Sequence, residues 1–156
     1  MPMKLTRYIS SENIIPDLAG KSREDALRRI VHAAAQTGSI RHEEDVLAKL
    51  MERESIQSTA VGNGVAIPHC FVDEIPDLFI IVARSREGLE FDSFDGKPTR
   101  IVLLLMGNSR EYSLHLKALG LIARLIKSTA FIEKIYASVT GQDMMRAFAE
   151  EEAKVY

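Results

Sequence analysis

Apolar side chains recur at helical spacing in the first third of the chain. Ser22 and Asp25 form a capping-box-like start, and Gly38 can end the helix that follows. The apolar positions of this predicted helix share one face: Leu27, Ile30, Val31 and Ala34. A second helix is predicted over about residues 43–52, with an apolar stripe of Val46, Leu47, Leu50 and Met51. We expect its solvated face to hold Glu44, Asp45, Lys49 and Glu52.

The middle of the chain has apolar runs of strand length. Residues 78–83 and 100–106 are apolar runs of strand length, interrupted only by Arg100, which is typical of strands covered on both faces. A short strand is predicted at 65–67 and is ended by Pro68. Another is predicted at 89–91, between turns at 87–88 and 95–96.

Helical spacing returns after the strands. A long helix is predicted over about 111–127, a shorter one over 130–137 and a last one over 142–150, followed by a charged end, 150–156, that we expect to fray. Helices before, between and after strands predict an α/β fold, with a sheet covered by helices on both faces. We expect one domain over residues 1–156.

Composition narrows the class of protein. With 46% hydrophobic and 27% charged residues, the chain has ordinary globular usage. Its net charge of −2 creates no overall basic field, so we expect no nucleic-acid partner. No apolar run approaches the ~20 residues that span a bilayer, so we expect no membrane insertion. The single cysteine, Cys70, excludes an internal disulfide and predicts a cytoplasmic location.

His69 has the most unusual setting of the four histidines. It follows the glycine-rich turn Gly62-Asn63-Gly64, the short strand and Pro68. The glycines allow another backbone or an anion to approach closely, and the proline stiffens the chain that leads to the imidazole. A reactive histidine and a turn histidine that hydrogen-bonds locally both fit this local sequence.

The other histidines give weaker indications. His115 lies near the N-terminus of the predicted long helix, where unpaired N–H groups favour an anion. A lone histidine on an apolar face, however, is more often a core residue. His32 and His42 are expected to be structural or solvated.

Arg53 follows the second predicted helix and precedes a segment of small residues. It either interacts with the helix C-terminus or uses its planar fork to hold phosphate or carboxylate oxygens. Glu54, Ser58 and Thr59 are close enough in sequence to orient it.

A long string of residues resembles a known family. Residues 53–69, RESIQSTAVGNGVAIPH, resemble the active-site segment of enzyme IIA of the bacterial phosphotransferase system, of the fructose/mannitol type. Residues 115–119, HLKAL, resemble that family's second histidine segment. The nitrogen-regulatory branch is the most similar, and the resemblance covers nearly the whole chain.

The resemblance implies a fold, an activity and a site. The fold would be a mixed sheet of about five strands between helices, and the activity protein-to-protein phosphoryl transfer without a metal or other cofactor. His69 would accept a phosphoryl group from a small phosphocarrier of the HPr type, His115 would contact that group without carrying it, and Arg53 would stabilise its charge. The loop residues implied at the phosphoryl site are Ser58, Thr59, Gly62, Asn63 and Gly64.

Two destinations for the phosphoryl group fit the resemblance. In the nitrogen-regulatory branch, phosphorylation alters binding to regulatory target proteins. In sugar transport, the phosphoryl group passes to a IIB domain. We expect the regulator, because the chain ends at Tyr156 without a linker or second domain.

Some positions depart from the family pattern or permit other hypotheses. Cys70 replaces the small residue that commonly follows the reactive histidine; its thiol either undergoes oxidation or simply packs as a small apolar side chain.

A metal site of His69, Cys70 and His115 is disfavoured because adjacent side chains rarely point at one ion. A binding module that has lost phosphoryl transfer is disfavoured by the retained Arg53 and histidines. Apolar candidates for a docking rim, or equally for the core, are Ile67, Phe71 and Val72.

Overall fold

The computed structural model describes residues 3–155, so residues 1, 2 and 156 of the predicted domain lie outside the described part. Within that part there are five α-helices: α1 (Arg23–Gln36), α2 (Glu43–Ile56), α3 (Tyr112–Leu125), α4 (Thr129–Ala137) and α5 (Gly141–Val155). Six strands accompany them: β1 (Ile14–Ile15), β2 (Ala60–Gly62), β3 (Val65–Ala66), β4 (His69–Phe71), β5 (Leu78–Leu89) and β6 (Thr99–Gly107). Short 3₁₀ helices occur at Leu5–Arg7, Ser11–Asn13 and Ser109–Glu111.

The strands form one mixed sheet in the order β1-β5-β6-β3-β2, with β4 also paired to β6. The long strands β5 and β6 are antiparallel, while β3 and β4 run parallel to β6 along the same edge. Val65 pairs with Ile101 and His69 pairs with Leu105, so the chain follows β6 in one register from β3 to β4. Pro68 lies between the two strands and has no N–H, so it interrupts their hydrogen bonding to β6. The glycine-rich turn and His69 therefore lie beside opposite ends of β6.

Helices cover both faces of the sheet and create two cores. On one face, α1 and α2 pack against Val102, Leu104 and Met106 of β6. On the other, α3, α4 and α5 pack against the alternate residues Ile101, Leu103 and Leu105. Successive side chains of a strand point to opposite faces, so a strand buried on both faces is apolar throughout. The predicted α/β fold is confirmed, with six strands where the resemblance implied about five.

The helix boundaries follow the sequence signals with two extensions. Ser22 Oγ accepts the N–H of Asp25 at 3.1 Å, which confirms the predicted start of α1. Helix α2 continues to Ile56, four residues beyond the prediction, so Arg53 lies in its last turn. Helix α5 continues to Val155, which corrects the expected fraying as far as that residue. There the buried Glu152 carboxylate accepts the N–H of Leu5 and the Thr6 hydroxyl, which ties α5 to the start of the chain.

The separate strand predicted at 89–91 is wrong. Strand β5 runs without interruption to Leu89, with a register shift between Arg84 and Leu89. Gly88 has a φ of +85°, so the predicted turn at 87–88 is an irregularity within one strand. No helix in the range 3–155 has the length and apolar character needed to cross a bilayer.

Candidate functional site

His69 is held at the start of β4 by two hydrogen bonds to the carbonyl groups that directly precede it. The N–H of Leu105 donates to the carbonyl of Pro68 at 2.9 Å, which fixes the chain just before the histidine. The ring Nδ1 of His69 lies 2.8 Å from the carbonyl oxygen of Ile67. A carbonyl only accepts, so Nδ1 carries the proton and donates this bond. In the neutral ring the lone pair is then on Nε2.

His115, in the second turn of α3, faces His69 across the interface between α3 and the sheet. The two ring centroids are 5.9 Å apart, and the His115 ring is 4.5 Å from that of Phe71. His69 and Phe71 share the α3 side of the sheet because side chains alternate along β4. Burial, together with the nearby His69, lowers the pKa of His115 to about 4. His115 is therefore neutral at pH 7.

The His115 ring packs directly against the end of β6. A Cβ atom on Gly107 would lie 2.6 Å from His115 Nδ1, so a side chain larger than that of glycine would displace the ring. His115 is only 2% exposed, and its Nδ1 has no hydrogen-bond partner among the described residues. The absence of a side chain at Gly107 thus leaves room for the His115 ring. Sequence reasoning missed this contact, because no local sequence pattern shows that the two residues pack together.

A cleft of about 510 Å³ opens between α2, β4 and the N-terminal end of α3. Its lining comprises Lys49, Glu52, Arg53, Ile56, His69, Cys70, Phe71 and His115. The structure thus brings together three residues singled out in the sequence, His69, His115 and Arg53. Arg53 is half-buried, and its Nη1 donates to the carbonyl of Gln57 at 3.0 Å.

The residues expected to orient Arg53 have other partners. The buried Glu54 carboxylate accepts the backbone N–H of Thr59 at 2.9 Å and also the Thr59 hydroxyl. The Ser58 hydroxyl donates to the carbonyl of Phe91 at 2.7 Å. These bonds fix the segment that follows α2, so Glu54, Ser58 and Thr59 stabilise the cleft wall and do not line the cleft.

The glycine-rich turn is not brought to the cleft. Residues 62–64 form the tight turn between β2 and β3, where Asn63 has a φ of +57° and Gly64 a φ of +77°. The carbonyl of Gly64 accepts the N–H of Arg100 and of Ile101, at the start of β6. His69 pairs four residues further along β6, roughly 13 Å away at ~3.3 Å per residue. The glycines of Gly62-Asn63-Gly64 permit a hairpin here, and the turn lies apart from His69 along β6.

An apolar rim surrounds the cleft, but only one of its predicted members belongs to it. Ile67 and Val72 are buried core residues, whereas Phe71 lines the cleft. Phe71 is half-buried, and the exposed apolar side chains nearby are Ile56 (78% exposed), which also lines the cleft, and Tyr112 (55%) and Leu116 (49%) of α3. The Tyr112 ring lies 5.8 Å from that of Phe71. We call Ile56, Phe71, Tyr112 and Leu116 the apolar rim.

Two other cleft residues change the sequence-based picture. Cys70 packs against the core on the α1–α2 side, and burial raises the pKa of its thiol to about 12, an effect that nearby Lys49 opposes. The thiol is therefore neutral and a weak nucleophile at pH 7. Lys49, assigned to the solvated face, donates from Nζ to the carbonyl of Phe71 at 3.1 Å. Lys49 lies four residues before Arg53, so the sequence already placed the two cations on one face of the helix.

The remaining histidines and the metal hypothesis have simple outcomes. The exposed His32 side chain lies on α1, with Nδ1 3.1 Å from a Glu43 carboxylate oxygen. His42 is the N-cap residue of α2. In the described stretch 3–155, no group of three or more His, Cys, Asp or Glu side chains could hold a metal ion.

Fold and cleft together define an α/β protein with two adjacent histidines at an open sheet edge. The family model for the EIIA 2 component of the phosphoenolpyruvate-dependent sugar phosphotransferase system matches residues 7–151. The chain belongs to this family.

Similar proteins come from both regulatory and sugar-specific branches. A nitrogen regulatory protein of Bradyrhizobium diazoefficiens is 36% identical over 148 residues, which are 94% of this chain and 95% of that protein. The nitrogen regulatory protein IIA-Ntr of Neisseria meningitidis has a TM-score of 0.85 at 23% identity, covering 92% of this chain and 98% of that one. The mannitol enzyme IIA of Escherichia coli, solved in complex with phosphorylated enzyme IIB, has a TM-score of 0.77 at 18% identity, covering 91% and 97%.

Proposed function

We propose that this chain accepts a phosphoryl group on Nε2 of His69 from an HPr-type phosphocarrier and acts as a nitrogen-regulatory signalling protein. The observation that carries this proposal is the bond from His69 Nδ1 to the carbonyl of Ile67. It directs the free lone pair to Nε2 in a histidine that lines an open cleft. Family membership supports the phosphotransfer activity in general.

The proposed step exchanges one bond to phosphorus for another. The lone pair of His69 Nε2 forms a new bond to phosphorus while the bond to the donor's leaving atom breaks, and that electron pair stays on the donor. Nδ1 keeps its proton, so the imidazole becomes positively charged. The carbonyl of Ile67, 2.8 Å away, stabilises that charge and keeps the ring in one orientation.

Two neighbouring groups support the transferring phosphoryl group. Arg53 is permanently charged and its remaining N–H groups are available to phosphoryl oxygens. His115 is neutral, so only one of its two ring nitrogens carries a proton. Because its Nδ1 lies against Gly107 without an acceptor, we assign that proton to Nε2, where it serves as a donor to the cleft. Donors fixed before the reaction need no rearrangement as charge develops.

The regulatory assignment rests on the 36% identical Bradyrhizobium protein, whose length the match nearly spans. The apolar rim supplies a surface on which an HPr-type carrier, and then a regulatory target protein, would dock around His69. Phosphorylation would add negative charge at the centre of that surface and so change which partners bind. We place this exchange in the cytoplasm, where phosphoenolpyruvate is made.

A second destination for the phosphoryl group is a IIB domain, as in a sugar-specific fructose or mannitol enzyme IIA. The mannitol enzyme IIA that shares this fold was solved with a phosphorylated IIB partner. In that case the same His69 chemistry would serve sugar uptake, and binding to regulatory targets would not depend on phosphorylation.

The test is phosphorylation of the purified protein by phosphoenolpyruvate, enzyme I and the HPr-type carrier of the same organism, measured by intact mass. We expect one phosphoryl group on the wild type, none on His69→Ala and slower uptake by His115→Ala. His32→Ala is the matched control, because His32 is exposed and remote from the cleft, and it should behave as wild type. Full phosphorylation of His69→Ala would refute the assignment. Adding candidate IIB domains and target proteins to both forms then separates the two destinations.

A further inference from the structure

Helix α2 presents two cationic side chains to the cleft, one turn apart. Lys49 and Arg53 are separated by four residues, so they lie on one face of the helix, and both line the cleft with His69. Lys49 Nζ donates to the carbonyl of Phe71, two residues after His69 in β4. This bond uses one of the three N–H groups of the ammonium. The other two are available on an exposed side chain.

The charges around the cleft leave a role for this second cation. His115 and Cys70 are both neutral at pH 7. Of the cleft-lining residues that the structure describes, Lys49 and Arg53 are cationic and Glu52 is anionic. A protein-bound phosphoryl group carries about −1.5 to −2 charges at pH 7. Since Glu52 offsets one cation, Arg53 alone would leave that charge largely uncompensated.

We propose that Lys49 is a second phosphoryl-binding cation, whose ammonium shares or leaves the carbonyl of Phe71 to contact the phosphoryl oxygens on His69. This inference rests on the proposed function of His69. Lys49 stays a point charge on a flexible stem, so it follows the phosphoryl group as it moves from the donor to His69. Arg53 supplies the directional contact and Lys49 the additional charge.

A purely structural role for Lys49 makes a different prediction. If it only caps the carbonyl of Phe71, its removal exposes that carbonyl to water at an open strand edge. Water would satisfy the carbonyl, so stability would change little. The phosphoryl group on His69 would lose no direct contact, so its pKa and its rate of formation would change little.

The experiment measures the phosphorylated protein by itself, without a partner. The wild type, Lys49→Met and Lys49→Arg are phosphorylated, freed of the carriers and titrated by ³¹P NMR. Lys49→Met keeps most of the stem and removes the charge, whereas Lys49→Arg restores the charge. The matched control is Lys117→Met, which removes an exposed cation two residues after His115 in α3 that is not among the cleft-lining residues.

We expect Lys49→Met to raise the pKa of the phosphoryl group, because a lost cation favours its protonated form. Its rate of phosphorylation by the carrier should fall about 10-fold, the loss of one charge-assisted hydrogen bond. Lys49→Arg should recover most of both properties, and Lys117→Met should match the wild type in the ³¹P titration. A ³¹P titration of Lys49→Met identical to wild type would overturn the proposal for Lys49 alone. A wild type that takes no phosphoryl group would instead refute the function of His69.

Discussion

At the start of β6, the turn at 62–64 uses its polar groups within the hairpin and the sheet, whereas the other end of β6 leaves polar groups available. The carbonyl of Gly64 accepts two backbone N–H groups, and Ser58 and Thr59 nearby are fully engaged with other residues. Two buried side-chain atoms near β6 lack a partner among residues 3–155: Thr99 Oγ1 at its start, and His115 Nδ1 at its far end, where His115 lines the cleft. Exposed apolar side chains lie at both ends: Val61 and Phe94 near the hairpin, and Ile56 and Tyr112 near the cleft.

The comparison teaches which sequence features mark chemistry in this fold. Glycines next to a reactive segment resemble a loop that cradles an anion, yet here they permit the positive φ values of a tight turn. The site itself is marked by a histidine locked in one tautomer, a second histidine kept neutral by burial, and cations with unused donors. Changes at the two ends of β6 should therefore affect different properties.

The largest effect at the cleft end, apart from loss of His69, should come from Gly107→Ala. Its Cβ would approach His115 Nδ1 to 2.6 Å and force the ring or the strand to shift. We expect phosphorylation by the HPr-type carrier to slow by about 100-fold, since displaced catalytic groups cost rate steeply. Strain should also cost about 1–3 kcal/mol of unfolding free energy. Rates come from intact-mass time courses and stability from urea unfolding.

Gly120→Ala provides the matched control for that variant. A Cβ atom at Gly120, within α3, meets nothing within 4 Å. We expect a gain of up to about 1 kcal/mol in stability and an unchanged rate. Equal rates for Gly107→Ala and wild type would show that the position of His115 does not matter to transfer.

A smaller effect, confined to stability, is expected at the hairpin end. Gly64 has a φ of +77°, which an alanine adopts only with strain. Gly64→Ala should cost about 1–2 kcal/mol of unfolding free energy while the folded protein is phosphorylated at the wild-type rate. If the rate falls with stability intact, the turn has a role in transfer and the contrast between the two ends fails.

A further effect concerns the pH dependence of stability. The pKa of His115 is lowered from 6.5 to about 4 in the folded protein, so the unfolded chain binds the proton more readily. The stability from neutral His115 is fully present above pH 6.5 and is lost as the pH falls towards 4. His115→Gln should flatten the pH dependence of urea unfolding between pH 7 and 5.

The carboxylates with lowered pKa values contribute little to the pH dependence of unfolding between pH 7 and 5. Hydrogen bonds to their neighbours lower the pKa values of Asp73, Asp95 and Asp143 from 3.8 and that of Glu74 from 4.5, so their contributions to stability are lost mainly below about pH 5. A slope in His115→Gln equal to that of wild type would mean that His115 is not held neutral by burial.

Periodicity and apolar runs predicted the architecture because helix and strand periods are local properties. The α1 and α3 faces, both long strands and the two covered sheet faces follow from them. Strands β1, β2 and β4 contain only two or three residues each. They are defined by pairing with neighbouring strands, which a local sequence pattern does not show. The bulge at Gly88 looked like a turn because both use the same positive φ.

Members of the candidate site were predictable where a motif names a residue, and unpredictable where tertiary packing brings residues together. His69, His115 and Arg53 were found by resemblance to a family, and the structure brings them to one cleft. Lys49 was placed on a solvated face, because helical periodicity does not show that this face borders a strand edge. Gly107 and the apolar rim depend on how α3 lies against β6, which is a tertiary property.

The central claim is that Nε2 of His69 is the phosphoryl acceptor, and ¹⁵N-labelled histidine tests it most directly. The protein is phosphorylated by its HPr-type carrier, and NMR coupling between ³¹P and ¹⁵N identifies the bonded nitrogen. We predict coupling to Nε2 of His69, with Nδ1 of the same ring still protonated. A phosphoryl group on Nδ1 of His69, or on His115, would contradict the account.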